Sequence, residues 1–151
     1  MEDLELERAL RTILYQLRTK NFPWRLEGSA NLRVQGVPTA VNDIDIATNN
    51  DGLRLFRSCL EQYPLQEGYN DRIKAKFLLV TLGKTKVEIL CYDDFALRKL
   101  DKTIFETWQG LSLPCLPLEG ALEFYRQIHR LEKVELIQKQ LDELQGKVRK
   151  V

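Results

Sequence analysis

A single histidine, His129, stands among the 151 residues, so no histidine-based metal cluster can be built and no Ser/His/Asp arrangement is expected. Cysteine is almost as scarce. Cys59, Cys91 and Cys115 are odd in number, widely spaced and set among apolar residues, which excludes a disulfide framework and reads as reduced core thiols in a cytoplasmic protein. Long hydrophobic runs are missing too: none approaches the roughly 20 residues of a membrane span. The N-terminus, MEDLELER, is acidic, unlike the basic start of an export signal. Nor is there an excess of charge, since 23 Lys and Arg stand against 22 Asp and Glu for a net charge of +1. That balance argues against a dedicated nucleic-acid binder, while leaving room for a local basic cleft.

What the chain does contain is concentrated in residues 26–48, LEGSANLRVQGVPTAVNDIDIAT. Gly28-Ser29 lies where a strand-like apolar run gives way to a short helical one, a place where bare backbone N–H groups can meet phosphate. Further on comes Asp43-Ile44-Asp45-Ile46. Side chains alternate along a strand, so Asp43 and Asp45 share one face, about 6.5–7 Å apart at the backbone, while Ile44 and Ile46 enter the core. Two carboxylates so placed can bridge hard cations.

The rest of the chain supports this stretch. Leu4, Leu6, Leu10, Ile13, Leu14 and Leu17 recur at helical spacing over residues 3–19, with Asp3 as a cap. Residues 24–27 read as a first strand and 29–35 as a two-turn helix stopped by Gly36. Asn49-Asn50-Asp51-Gly52 offers caps for a helix ending near Tyr63-Pro64. Residues 72–82 and 85–91 read as strands joined across Gly83-Lys84, and 103–113 as a further hairpin around Gln109-Gly110. Asp93 and Asp94 look like the cap of a helix starting at Phe95-Ala96-Leu97. From Leu118 to about Leu144 the pattern is helical with a break near His129-Arg130, and Gly146 ends it before a solvated basic tail. The expected organisation is one α/β (α+β) domain over 1–151, a mixed sheet flanked by helices: an N-terminal helix in 1–20, a core in 21–113 and C-terminal helices in 118–145.

Gly28-Ser29, thirteen residues, then Asp-hydrophobic-Asp-hydrophobic resembles the signature of the nucleotidyltransferase superfamily. The likeness is closest to its small stand-alone and antibiotic-modifying members. Asp43 to Asn49, DIDIATN, also echoes CCA-adding enzymes, but those carry RNA-binding domains that have no place here, so an RNA 3′ end is not the expected acceptor. The resemblance implies that Asp43 and Asp45 are joined by a third carboxylate on a later strand between hydrophobic neighbours. Glu88, in Lys86-Val87-Glu88-Ile89-Leu90, fits that description best.

Transfer of a nucleotidyl group from an NTP, ATP foremost, to a hydroxyl of a small molecule or protein then follows as the expected activity. The three acids suit two magnesium ions, or manganese in their place, held about 3.5–4 Å apart. Gly28 and Ser29 would meet the phosphates, Asn42 would orient Asp43 or touch the ribose, and cations would come from Arg72, Lys74 and Lys76, alternating on one strand face. Arg130 and Lys133 on the C-terminal helix complete the expected nucleotide site. Gln127 stands where the resemblance implies a lysine, which keeps open an alternative: a nucleotide-binding or partner-binding module on the same fold without catalysis.

Overall fold

The computed structural model describes residues 1–93 and 100–149, the last two in backbone only. Its elements in chain order are α1 (Asp3–Leu17), β1 (Trp24–Glu27), α2 (Gly28–Val34), β2 (Ile44–Thr48), α3 (Asn50–Cys59), β3 (Leu65–Asn70), β4 (Ala75–Leu82), β5 (Thr85–Tyr92), β6 (Ile104–Trp108), β7 (Leu111–Cys115), α4 (Leu118–Gln127) and α5 (Leu131–Arg149). The strands form one mixed sheet in the order β3-β4-β5-β2-β1-β7-β6. β2 runs antiparallel to β1 and parallel to β5 at the centre. The expected α/β class is therefore the one adopted.

The apolar periodicities explain the layering. Leu6, Leu10 and Ile13 of α1 and Phe56 of α3 are fully buried against Leu26, Ile44, Ile46, Leu78, Val80, Val87 and Ile89, the inward-facing residues of the central strands. Phe56 also meets Phe22 and Trp24 edge-on, at centroid distances of 5.3 and 5.8 Å, a favoured aromatic arrangement. Asn49 caps α3, its Oδ1 accepting from the Gly52 N–H at 2.7 Å. A smaller cluster of Leu32, Val37, Leu118, Leu122, Tyr125 and Ile137 fastens α2 to α4 and α5.

Several local expectations are corrected. The cap before α1 is Glu2, and Asp3 lies inside the first turn, where it pairs with Arg33 at 3.2 Å. β3 was not expected at all. Its sequence LQEGYN lacks the period-2 apolar pattern because this edge strand is exposed over most of its length. The strand read over 72–82 starts only at Ala75, so Arg72 and Lys74 sit in the preceding turn, Lys74 at φ 54°. The break near His129 is present, with that residue at φ 58°. Arg130 therefore precedes α5, its carbonyl accepting from the N–H groups of Lys133 and Val134. Gly146 does not end α5, which runs to Arg149; an interior glycine costs a helix only about 1 kcal/mol. Of the proposed cap Asp93-Asp94 and its helix at Phe95-Ala96-Leu97, everything past Asp93 lies outside the described residues, as does Lys150 of the basic tail.

Candidate active site

Backbone pairing assembles a row of acids across the middle of the sheet. Asp45 of β2 pairs in register with Glu88 of β5 on one side and with Glu27 of β1 on the other. Cross-strand partners share a face, so these three side chains stand on the face away from α1 and α3. Asp43, two residues before Asp45, is exposed in the bend that enters β2, with exposed Asn42 beside it. The charges are felt at Asp45. Its carboxyl is pushed up to about 6 by burial first, then by the charges of Glu88, Asp43 and Glu27.

Glu27 went unforeseen. It is only 5% exposed and pairs at 3.5 Å with Arg25, itself 2% exposed, whose Nη1 also donates to the Lys102 carbonyl at 3.1 Å. The available signal was a pair of charges two apart on a strand that ends at Gly28. Nothing in the linear sequence says that β2 lies alongside.

Gly28 opens α2 at φ +64°, and a Cβ built there would lie 2.4 Å from Asp45 Oδ2. Glycine is thus required twice, for the left-handed backbone and for the approach of the Asp45 carboxylate. Ser29 follows in the first turn of α2, whose N-cap, Glu27, makes no side-chain cap hydrogen bond. The helix is set by Asn31, fully buried, which donates to the Leu116 carbonyl and accepts from the Leu116 N–H, both at 3.0 Å. Gly28→Ala is expected to cost about 1–2 kcal/mol from the backbone alone. It should lower turnover more than that loss explains, because Asp45 must move. Thermal unfolding beside a turnover assay checks both.

The cations expected at the nucleotide are spread over several elements. Lys76 pairs in register with Cys91, which puts it on the helix-covered face, opposite Glu88, where its Nζ donates to Asn50 Oδ1 at 3.1 Å. Arg72 and Lys74 are exposed in the β3–β4 turn. Arg130 is half exposed and pairs with Glu132 at 2.5 Å. Lys133 donates instead to the Thr39 hydroxyl, in the loop between α2 and β2. Two clefts, of about 530 Å³ between α1 and the β4–β5 turn and about 360 Å³ beside α3, include none of the acids. Chemistry, not cavity size, locates the site.

The donor set is all oxygen, which suits a hard divalent cation, and the raised Asp45 carboxyl is the kind of group that a cation would discharge. Among the described residues no three His, Cys, Asp or Glu side chains stand as a ready metal cage. The three cysteines are free, with Cys91 and Cys115 buried. No helix among the described residues is long and apolar enough to cross a membrane.

This architecture is shared with known structures. A candidate nucleotidyltransferase of Thermotoga maritima superposes with a TM-score of 0.74 at 27% identity, over 95% of this chain and 96% of its own. ANT(2'')-Ia, solved with adenylyl-2''-tobramycin, gives a TM-score of 0.65 at 12% identity, over 96% of this chain and 94% of its own. The lincosamide antibiotic adenylyltransferase LnuA, solved with lincomycin, gives 0.64 at 14% identity, over 87% and 96%. These last two speak for the fold alone. No curated protein matches in sequence. The aminoglycoside-2''-adenylyltransferase family model matches residues 9–141, most of the chain, and the protein accordingly belongs to that family of nucleotidyltransferases.

Proposed function

We propose that the protein transfers AMP from ATP to a hydroxyl of a small molecule, with Asp43, Asp45 and Glu88 as its catalytic acids. One observation carries the reading: Asp45 and Glu88 stand in register on adjacent strands, with the Gly28 backbone pressed against the Asp45 carboxylate at the start of α2. Asp43, Asp45 and Glu88 would hold magnesium, which when bound neutralises phosphoryl oxygens and eases deprotonation of the attacking hydroxyl.

The chain's own groups do the rest. Gly28 and Ser29 present backbone N–H groups of the first turn of α2, and the Ser29 hydroxyl, to the β- and γ-phosphates. With the triphosphate so fixed, the acceptor oxygen forms its bond to the α-phosphorus as the bond to pyrophosphate breaks. Glu88 takes the hydroxyl proton. Arg25 confines the charge of Glu27 to a buried pair, so the row can carry a fourth acid without leaving it unpaired. We assign no phosphate contact to Lys76, whose register with Cys91 turns it to the other face of the sheet.

The test is ligand-linked stability followed by chemistry. ATP with magnesium should stabilise the protein by about 2.7 kcal/mol at 100 times its Kd, and ATP with a chelator by much less. Pyrophosphate release should then appear with a hydroxyl acceptor from a panel that includes tobramycin, whose adenylylated form ANT(2'')-Ia holds, and lincomycin, bound by LnuA. If no NTP shifts the melting temperature at millimolar magnesium, nucleotide binding is lost as an idea. Stabilisation with no release against any acceptor would mark a binding module.

A further inference from the structure

We infer that Lys133 and Arg33 are positioning residues: they clamp Thr39 from two sides and thereby fix the loop that delivers Asp43 to the acid row. This rests on the role proposed for Asp43. The loop leaves α2 after Val34 and enters β2 at Ile44. Two of its residues, Val37 and Val41, are buried in different apolar clusters, at 1% and 0% exposure. Thr39 lies between these anchors, and its carbonyl and its hydroxyl are each gripped by a cation. Arg33 donates from Nε and Nη2 to the Thr39 carbonyl at 3.0 and 2.6 Å, and from Nη1 to the Met1 carbonyl at 2.9 Å. Lys133 donates from Nζ to the Thr39 hydroxyl.

Helix α5 adds a second hold about two turns along, where Gln140 Nε2 donates to the Gln35 carbonyl at 3.0 Å. Gly36, at φ +90°, leaves room for it, since a Cβ there would meet Gln140 Nε2 at 2.6 Å. The loop is thus tied to α2 and α5 at once, four residues before Asp43, and through Arg33 to Met1 and Asp3. Bringing an ammonium and a guanidinium to one threonine sets like charges near each other, an arrangement that opposes folding unless other contacts offset it. Burial and Arg130 already push the Lys133 ammonium down, with Glu132 acting the other way. A lysine serving the triphosphate directly would not need the Thr39 hydroxyl.

That difference supplies the test. Thr39→Val removes the hydroxyl and keeps the carbonyl that Arg33 uses; Thr39→Ser keeps both. Thr39→Val and Lys133→Gln should each lower kcat by about 10-fold or more through misplacement of Asp43, with the calorimetric Kd for ATP and magnesium within about twofold of wild type. The double variant should be no worse than either single, because both break one interaction, and Thr39→Ser should restore kcat. Amide exchange over residues 37–43 should quicken in Thr39→Val whether or not an acceptor is in hand. Unchanged exchange overturns the clamp, and so does a Lys133→Gln that weakens ATP binding while Thr39→Val does not. Asp43→Asn separates the two levels. If it abolishes turnover and Thr39→Val leaves turnover intact, the clamp fails and the proposed function stands. If Asp43→Asn leaves turnover intact, the catalytic assignment fails, while quickened exchange still reports the loop.

Discussion

Asp45→Asn is expected to stabilise the folded chain and at the same time to end its turnover. The Asp45 carboxyl titrates at 3.8 when unperturbed and is pushed up to about 6 in the folded protein by burial and by Glu88, Asp43 and Glu27. Between those values the folded state holds a proton that the unfolded state has released, so stability falls as pH rises through the window from about 4 to 6. Above pH 6 the full penalty is present, on the order of 3 kcal/mol at 1.36 kcal/mol per unit. Asparagine has no charge to desolvate. Urea unfolding in the presence of a chelator should therefore show Asp45→Asn more stable than wild type by up to about 3 kcal/mol at pH 7.5, and no more stable at pH 4. Adding magnesium should narrow the gap by stabilising wild type alone. Turnover should fall by at least about 10²-fold, since a ligand of the proposed cation is lost. Equal stability of the two proteins at pH 7.5 would show that neither burial nor the neighbouring acids penalise the charged Asp45 carboxylate.

This conflict between stability and charge explains what was legible in the sequence. Gly28-Ser29 and Asp43-Ile44-Asp45-Ile46 break the patterns of their surroundings, because a site that concentrates acids and left-handed backbone cannot look like an ordinary strand-helix junction. Glu88 was readable for the same reason, a lone acid inside an apolar strand. The sheet apart from β3 and the two C-terminal helices followed from periodicity, which survives in any element with one buried face.

What escaped depended on partners distant in the chain. Alternation tells which residues share a face but not which face is which, so Lys76 appeared to be a site residue although its register with Cys91 places it on the far side of the sheet. The polar alternation of Arg72, Lys74 and Lys76 ran on through a turn, because lysine and arginine are as much at home in an exposed turn as on an exposed strand. Glu27 and Arg25 gave no sign in the sequence of their burial. Only the pairing of β1 with β2 and β7 buries them. Asn31 gave no hint of its double hydrogen bond to Leu116, eighty-five residues on.

Glu88→Gln should separate catalysis from binding, because it preserves volume and pairing while removing the proton acceptor. Glu88 lies on β5 beside Asp45, and the two charges oppose each other. Losing one of them should relax Asp45 toward its ordinary value, so Glu88→Gln is expected to be slightly more stable than wild type in the same pH window. The gain should be smaller than for Asp45→Asn, since burial, the larger cause of the Asp45 shift, persists. Turnover should respond in the opposite direction. A residue that accepts the hydroxyl proton acts mainly in the transition state, so kcat should drop by about 10²-fold or more while the Kd for ATP at saturating magnesium changes far less, Asp43 and Asp45 still holding the cation. Calorimetry and pyrophosphate release on one preparation give both numbers. If affinity falls while kcat holds, Glu88 serves ground-state binding of the nucleotide, and the proton must go directly to solvent.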